Sequence, residues 1–109
     1  MPGTDVQEIP ATELKAMLDR GDVFELIDVR SPMERSIALI EGSRLLDQES
    51  YDALLKADKD ATLVFTCHHG ERSRMAARHF VQLGFRDVRN VRDGIEGWSL
   101  CVDPSVRRY

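Results

Sequence analysis

The sequence contains few cysteines, few lysines and no long apolar segment. Its 109 residues include only two cysteines, Cys67 and Cys101, which are too few for the disulfide framework of many small secreted domains. No apolar run approaches the ~20 residues that a membrane-spanning helix needs, and the polar start, MPGTDVQEIP, lacks the apolar core of a secretory signal. These absences predict a cytoplasmic protein without a membrane partner.

Clustered basic charge is absent as well. The net charge is −4, and the 12 arginines, set against three lysines, are scattered rather than interleaved with aromatic residues. This distribution argues against a nucleic-acid partner. A length of 109 residues with 42% hydrophobic and 31% charged residues is typical of one globular domain, so we expect a single domain over residues 1–109.

Apolar strand patterns alternate with helical patterns along the chain. The strand-like segments are residues 6–9, 24–29, 43–46, 61–66 and 87–91. Helical patterns cover residues 11–20, 48–57 and 72–83, and two shorter helices are expected after Ser31 and from Gly94. Because several strands are apolar on both faces, this order predicts an α/β domain with a mainly parallel sheet flanked by helices.

Local spacing predicts the buried faces of two helices. On the helix over residues 11–20, the apolar stripe consists of Ala11, Leu14 and Leu18. On the helix over residues 72–83, the sheet-facing residues are expected to be Ala76, Phe80 and Leu83, with Arg74, Arg78 and Gln82 outside. Gly84 is expected to end this helix in the left-handed conformation, which lets Phe85 pack back on Phe80.

The tetrapeptide SPME follows the second predicted strand. Ser31 is expected to cap a helix that begins at Pro32, and Glu34, three residues after the cap, completes a capping box. The chain is therefore predicted to turn directly from a strand into a helix at this point.

The stretch TCHHGERSR, residues 66–74, joins the most apolar strand to the best-defined helix. Cys67 lies where that strand ends and where the first amides of the helix have no intrahelical partner, which makes an anion site. Gly70 allows the loop to curl, and Arg72 adds a permanent cation. Such surroundings lower the pKa of a thiol and predict a reactive thiolate at Cys67. The alternative is a small buried apolar residue at a strand end.

A metal site is the other interpretation of this stretch. Cys67, His68 and His69 are consecutive, whereas metal ligands usually come in spaced pairs with a distant second pair. The remaining candidates are His79, inside a predicted helix, and Cys101. We therefore expect no metal. His68 and His69 either shape and polarise the loop mouth, contribute only their amides, or are solvated loop residues.

Loop length separates two cysteine chemistries. Cysteine-dependent phosphatases use C-x5-R, whereas Cys67 and Arg72 are spaced as C-x4-R, a tighter ring suited to a sulfur carried on the cysteine. The loop CHHGERS resembles that of the rhodanese-like sulfurtransferases, as do the segments LIDVRSPMER, GFRDVRNVRDGIEGW and VDPSVRRY. Departures from the family pattern are Leu39 in place of a common His, Asp93 in place of a common Gly, and Arg107–Arg108 in the tail.

The resemblance implies a three-layer domain with a central five-stranded sheet, and a sulfurtransferase activity. It implies that Cys67 takes a sulfane sulfur from a donor such as thiosulfate, becomes a persulfide and passes the sulfur to cyanide or a thiol, with ping-pong kinetics. The loop residues that would stabilise the anion are His68, His69, Gly70, Glu71, Arg72 and Ser73. No metal or organic cofactor is implied.

Several residues near the loop have open roles. Asp28 and Arg30 are expected either to brace the site, with Arg30 also able to attract an anion, or to form purely structural ion pairs. Ser73 is expected to cap or begin the helix and to position the loop. Cys101 is interpreted as a bystander because a resolving cysteine must come within disulfide reach of Cys67.

Two other functions compete with the enzyme. One is a sulfur-carrier module that delivers its cargo to a protein partner, docked through Arg74 and Arg78, although a solvated helix face also explains these arginines. The other is a phosphatase-like enzyme, which the short loop disfavours. Within the enzyme hypothesis, the Glu71 carboxylate opposes dianionic thiosulfate and favours a less charged donor.

Overall fold

The computed structural model describes residues 5–109, in which five strands alternate with five helices. The strands are β1 (Gln7–Ile9), β2 (Glu25–Asp28), β3 (Arg44–Leu45), β4 (Thr62–Thr66) and β5 (Asp87–Val91). The helices are α1 (Ala11–Arg20), α2 (Pro32–Ile37), α3 (Gln48–Leu55), α4 (Glu71–Gln82) and α5 (Gly94–Cys101). Each predicted element is present, with ends that differ by at most a few residues.

The strands form one sheet in the order β1-β5-β4-β2-β3, and each of its four strand pairs is parallel. In the register, Thr66 of β4 lies opposite Asp28 of β2, and Phe65 lies opposite Asn90 of β5. The carboxyl ends of three neighbouring strands therefore meet at one edge, which is where parallel α/β sheets hold their sites. The α/β prediction is confirmed.

Two hydrophobic cores cover the two faces of the sheet. On β4, Val64 belongs to a cluster formed with α1 and α5, whereas Leu63 and Phe65 belong to a cluster formed with α3 and α4. Because successive side chains of a strand point to opposite faces, this alternation explains why β4 is apolar at every inner position. Trp98 of α5 is buried in the first cluster.

The predicted helix faces are correct only in part. Leu18 is 38% exposed and Met17 is buried in its place, because the stripe of α1 advances by three residues rather than four at this turn. In α4 the buried residues are Ser73, Ala77 and Phe80 rather than Ala76 and Leu83. Leu83 is the C-cap and 37% exposed, since it lies to one side of the stripe that the buried residues form.

The helix ends follow the local signals closely. Ser31 Oγ accepts from the Glu34 amide and the Glu34 carboxylate accepts from the Ser31 amide, so the capping box is confirmed. Gly84 has φ of 104°, and Phe85 packs on Phe80 with ring centroids 5.7 Å apart, as expected. Among residues 5–109 no helix is both long and apolar enough to cross a bilayer.

Burial predicts unequal losses of stability for Phe80 of α4 and for Leu83, the C-cap one turn later. Phe80→Ala removes a ring that contacts Tyr51, Phe65 and Phe85, and we expect a loss of about 3–5 kcal/mol in the free energy of unfolding. Leu83→Ala serves as the control and is expected to cost about 1 kcal/mol or less, because Leu83 is partly solvated. Urea denaturation measures both. Equal losses would contradict the observed face of α4.

Candidate active site

The Cys67 sulfur lies at the junction of β4 and α4, buried beneath the loop that joins them. Its Sγ is 3.1 Å from the Gly70 amide nitrogen, 3.4 Å from the Ser73 amide nitrogen and 3.3 Å from the Ser73 hydroxyl oxygen. Gly70, not Ser73, is the N-cap of α4, so Ser73 lies in the first turn and contacts the sulfur directly. The expectation that Ser73 caps or begins the helix is wrong.

The surroundings of Cys67 favour its ionised form. Burial opposes ionisation, but contacts with Ser73 and with the amides of Gly70 and His69 outweigh it and lower the pKa of the thiol. The partial positive charge at the start of α4 acts in the same direction. A plain apolar residue at a strand end would have no such donors, so these contacts support the reactive interpretation of Cys67.

Two glycines allow the loop amides to turn inward. Gly70 has φ of 100°, and a Cβ there would lie 2.2 Å from the Arg92 carbonyl oxygen. Gly94, the first residue of α5, has φ of 59°, and a Cβ there would lie 2.3 Å from the His68 carbonyl oxygen. Both positions combine a left-handed backbone with close backbone contact, which only glycine permits.

The outward carbonyls of the loop are paired with the start of α5. The Ile95 amide donates to the Cys67 carbonyl at 2.9 Å, and the Glu96 amide donates to the His68 carbonyl at 3.1 Å. Two free amides of one helix therefore satisfy two carbonyls of the other segment. The start of α5 holds the loop in the orientation that directs its amides to the sulfur.

Arg72 is paired with a carboxylate beside the loop. Its guanidinium donates to both oxygens of Glu34, at 2.8 and 2.9 Å. This hydrogen bonding holds the pKa of Glu34 far below its usual range and raises the pKa of Arg72. Tyr109 donates its hydroxyl to Glu34 at 2.8 Å. The cation expected at Arg72 is therefore largely neutralised within the protein.

Asp28 and Arg30 form a buried ion pair at the end of β2. Arg30 donates to the two oxygens of Asp28 at 2.8 and 2.7 Å and to the Ala38 carbonyl at 2.7 Å, and Arg35 also donates to Asp28. Both side chains of the pair are almost fully buried. These contacts fit the structural alternative for Arg30, because a fully paired, buried guanidinium is not available to attract a dissolved anion.

Three aromatic rings stack at the loop mouth. The ring centroids of His68 and His69 are 3.9 Å apart, and His68 also stacks on Tyr109 at 3.9 Å. Burial and the neighbouring His69 lower the pKa of His68, which favours the neutral imidazole in this stack. Sequence analysis did not identify Tyr109, which is far from the loop along the chain.

The two histidines approach a carboxylate of α5. Possible ligand atoms of His68, His69 and Glu96 lie within 4.8 Å of one another. The imidazole rings stack on each other with planes 24° from parallel, and Arg108 already donates to one Glu96 oxygen at 2.7 Å. The ring stacking and the pairing of Glu96 with Arg108 disfavour a metal ion here, and the expectation of no metal stays a prediction.

Asn90 is a second residue that sequence analysis missed. It lies on β5, fully buried, and contacts Ser73, Gly70 and Glu8. The signal available in the sequence was a polar amide two residues after Val88, at a position that strand alternation places on the same face as that apolar residue. Cys101, in contrast, is exposed and free, and Cys67 is also a free thiol.

The comparisons with known proteins agree on one family. A model of the Rhodanese-like domain matches residues 10–101. The chain is 37% identical over 93 residues to the thiosulfate sulfurtransferase GlpE of Pseudomonas aeruginosa, covering 84% of this chain and 83% of that protein. The stated resemblance of the loop and its flanking signatures is confirmed.

Solved structures show the same fold. The reduced CoADR-RHD of Bacillus anthracis superposes with a TM-score of 0.76 and 28% identity, covering 94% of this chain and 18% of that chain. A rhodanese-like domain protein from Staphylococcus aureus gives a TM-score of 0.75 and 24% identity, covering 95% of this chain and 99% of that chain. The second likeness concerns the fold alone.

The contact between Gly94 and the loop carbonyls predicts that a methyl group there disturbs Cys67. We expect Gly94→Ala to lower the melting temperature and to slow alkylation of Cys67 by iodoacetamide, because the added carbon displaces the loop. Gly42→Ala is the control: Gly42 also has positive φ, 89°, but nothing lies within 4 Å of the added carbon. It should cost about 1–2 kcal/mol and leave the alkylation rate unchanged. Equal alkylation rates in both variants would show that the contact is unimportant.

Proposed function

The chain belongs to the rhodanese-like domain family, and from that premise we propose that it is a sulfurtransferase that carries sulfane sulfur as a persulfide on Cys67. The observation that carries this proposal is the set of groups at Cys67 Sγ: two backbone amides that donate to it within 3.4 Å, with the Ser73 hydroxyl oxygen at 3.3 Å. Such donors stabilise a sulfur anion in both the thiolate and the persulfide. The relatives named thiosulfate sulfurtransferase support thiosulfate as a donor.

The reaction divides into two displacements at sulfur. In the first, the Cys67 thiolate attacks the outer sulfur of thiosulfate; a new S–S bond forms, the S–S bond of the donor breaks, and its electron pair leaves with sulfite. In the second, cyanide or a thiolate attacks the outer sulfur of the persulfide, and the electron pair of that S–S bond returns to Cys67. The products are thiocyanate or a new persulfide, and the kinetics are ping-pong.

The loop provides dipoles rather than a free cation for this chemistry. Arg72 is held by Glu34, and Arg74 is held by Glu8 at 2.8 Å. Because its pKa is lowered, Cys67 stays a thiolate at pH values at which an ordinary thiol is protonated. The reaction with the donor should therefore retain its rate to lower pH than it would with an ordinary thiol. Turnover then depends on the amide donors, which carry no net charge.

The charges at the loop mouth support a preference for donors of low charge. Glu71 is the exposed first residue of α4, and the Glu34 carboxylate already occupies the guanidinium of Arg72. An anionic donor approaching Cys67 therefore meets a carboxylate and a neutralised cation. A persulfide donor, with less charge than thiosulfate, is favoured by this arrangement.

The competing functions gain little support from the contacts. Arg74 forms an ion pair with Glu8. Of the two arginines expected to dock a protein acceptor, Arg78 is therefore the one that is exposed. The phosphatase-like alternative requires a wider loop and a guanidinium free to bind phosphate. Delivery of sulfur to a protein, a cytoplasmic location and the absence of a nucleic-acid partner stay predictions.

Replacing each cysteine separately tests the nucleophile. We expect Cys67→Ala to abolish sulfur transfer and Cys101→Ala to retain most of it, because the buried Cys67 alone has the donors that stabilise an anion. Intact-mass spectrometry after incubation with thiosulfate should show the mass of one added sulfur atom, located on Cys67 by peptide mapping. Comparable losses in the two variants, or no added sulfur with any sulfane donor, would contradict the proposal.

The Glu71 carboxylate provides a test of donor preference. Glu71→Gln should lower the Michaelis constant for thiosulfate by about twofold to fivefold at low salt, with the difference shrinking as salt screens the charge. Glu49→Gln, in the first turn of α3, is the control for a change of net charge away from the loop. If both variants behave alike, or if salt has no influence on the difference, Glu71 does not act on the donor.

A further inference from the structure

A buried amide lies directly behind the residue that contacts the Cys67 sulfur. The Asn90 side chain, fully buried on β5, has three polar contacts within the described chain. Its Nδ2 lies 3.0 Å from the Gly70 carbonyl oxygen and 2.9 Å from Glu8 Oε1, and its Oδ1 lies 2.5 Å from Ser73 Oγ. Through Ser73, this amide is one contact away from the reacting sulfur.

The chemistry of these neighbours determines which way the amide faces. The Gly70 carbonyl and the Glu8 carboxylate only accept hydrogen bonds, so the two N–H groups of Asn90 must point to them. The amide oxygen then faces Ser73 and carries no proton. The short contact of 2.5 Å therefore requires the Ser73 hydroxyl to donate to Asn90.

The Ser73 hydroxyl has a single proton, and two acceptors compete for it. One is Asn90 Oδ1 at 2.5 Å, and the other is Cys67 Sγ at 3.3 Å. When the proton lies on the Asn90 side, Ser73 Oγ presents lone pairs to the sulfur and gives a thiolate no hydrogen bond. The Gly70 and Ser73 amides donate to the sulfur in either case.

We propose that Asn90 is a positioning residue that holds the Ser73 hydroxyl proton away from the Cys67 sulfur and thereby limits how strongly Ser73 stabilises the sulfur anion. The inference deepens the proposed sulfur transfer and rests on it for its biological meaning. A thiolate that is stabilised too strongly is a weaker nucleophile, so this restraint keeps Cys67 reactive while the amides keep it ionised.

The charged and titratable groups around the sulfur stay the same when Asn90 is replaced by Leu. Arg72 and Arg74 of α4 act electrostatically on Cys67 and are paired with Glu34 and Glu8. The others at the loop are His68, His69, Glu71 of α4 and Glu96 of α5. A shift in the titration of Cys67 on an uncharged substitution at position 90 is therefore attributable to the hydroxyl.

The test is a double-mutant cycle on the titration of one thiol. In a Cys101→Ala background, the pH dependence of the iodoacetamide alkylation rate gives the titration midpoint of the Cys67 thiol alone. Asn90→Leu removes the acceptor and frees the hydroxyl, so the midpoint should fall by about half to one pH unit, a threefold to tenfold change in the acidity constant. Ser73→Ala should change the midpoint little when Asn90 is present and should raise it by the same amount in the Asn90→Leu background.

The result that overturns the proposal is an equal rise on Ser73→Ala in both backgrounds, since the hydroxyl proton would then already lie on the sulfur. Val88→Ala, a buried change elsewhere on β5, controls for loss of stability and should leave the midpoint unchanged. A midpoint shift in that variant as large as in Asn90→Leu would assign the effect to packing and refute the proposal.

A near-isosteric variant keeps the test decisive if Asn90→Leu does not fold. Asn90→Asp retains an acceptor for the Ser73 hydroxyl and adds a carboxylate near the sulfur, so the titration midpoint of Cys67 should rise. Adding Ser73→Ala to this variant should not change the midpoint further. A further rise on adding Ser73→Ala would again refute the proposal. Alkylation does not require sulfur transfer, so failure to form a persulfide would reject the proposed function separately from these midpoints.

Discussion

The hydrogen bonds from the Gly70 and Ser73 amides to the Cys67 sulfur constrain much of the backbone around the loop. The carbonyls of Cys67 and His68 in the same loop face the start of α5 instead, and buried carbonyls need donors. The first turn of α5 supplies those donors, which in turn requires Gly94 to lie against the loop without a side chain. The loop geometry that stabilises a sulfur anion after β4 is thus maintained by α5, the helix that follows β5.

Charge around the site is organised in pairs rather than left free. Arg72 is held by Glu34, Glu34 also accepts from Tyr109, and the Tyr109 hydroxyl accepts from Arg30 at 2.8 Å. Arg30 is itself paired with the buried Asp28. This chain of contacts joins the loop, the end of β2 and the C-terminal residue. It stabilises their relative positions and leaves uncharged dipoles next to the sulfur.

Much of the fold and part of the site were predictable from local patterns. The ranges of α1 and β5, the capping box at Ser31 and the left-handed Gly84 depend on neighbours within a few residues, and the structure agrees with them. The buried face of α4 was misassigned because its stripe is set by the sheet that it packs against. Ser73 was misassigned because the N-cap is Gly70, which caps without a side-chain hydrogen bond.

The sequence by itself determined that a cysteine ends an apolar strand, that a glycine follows it and that a helix begins within the C-x4-R spacing, because sterics and unpaired amides act between near neighbours. Only the tertiary structure decided what surrounds that cysteine. Arg72 and Glu34 are 38 residues apart, and Tyr109 and Glu34 are 75 apart. Such contacts follow from the order of the parallel strands, which brings the ends of β2, β4 and β5 to one edge.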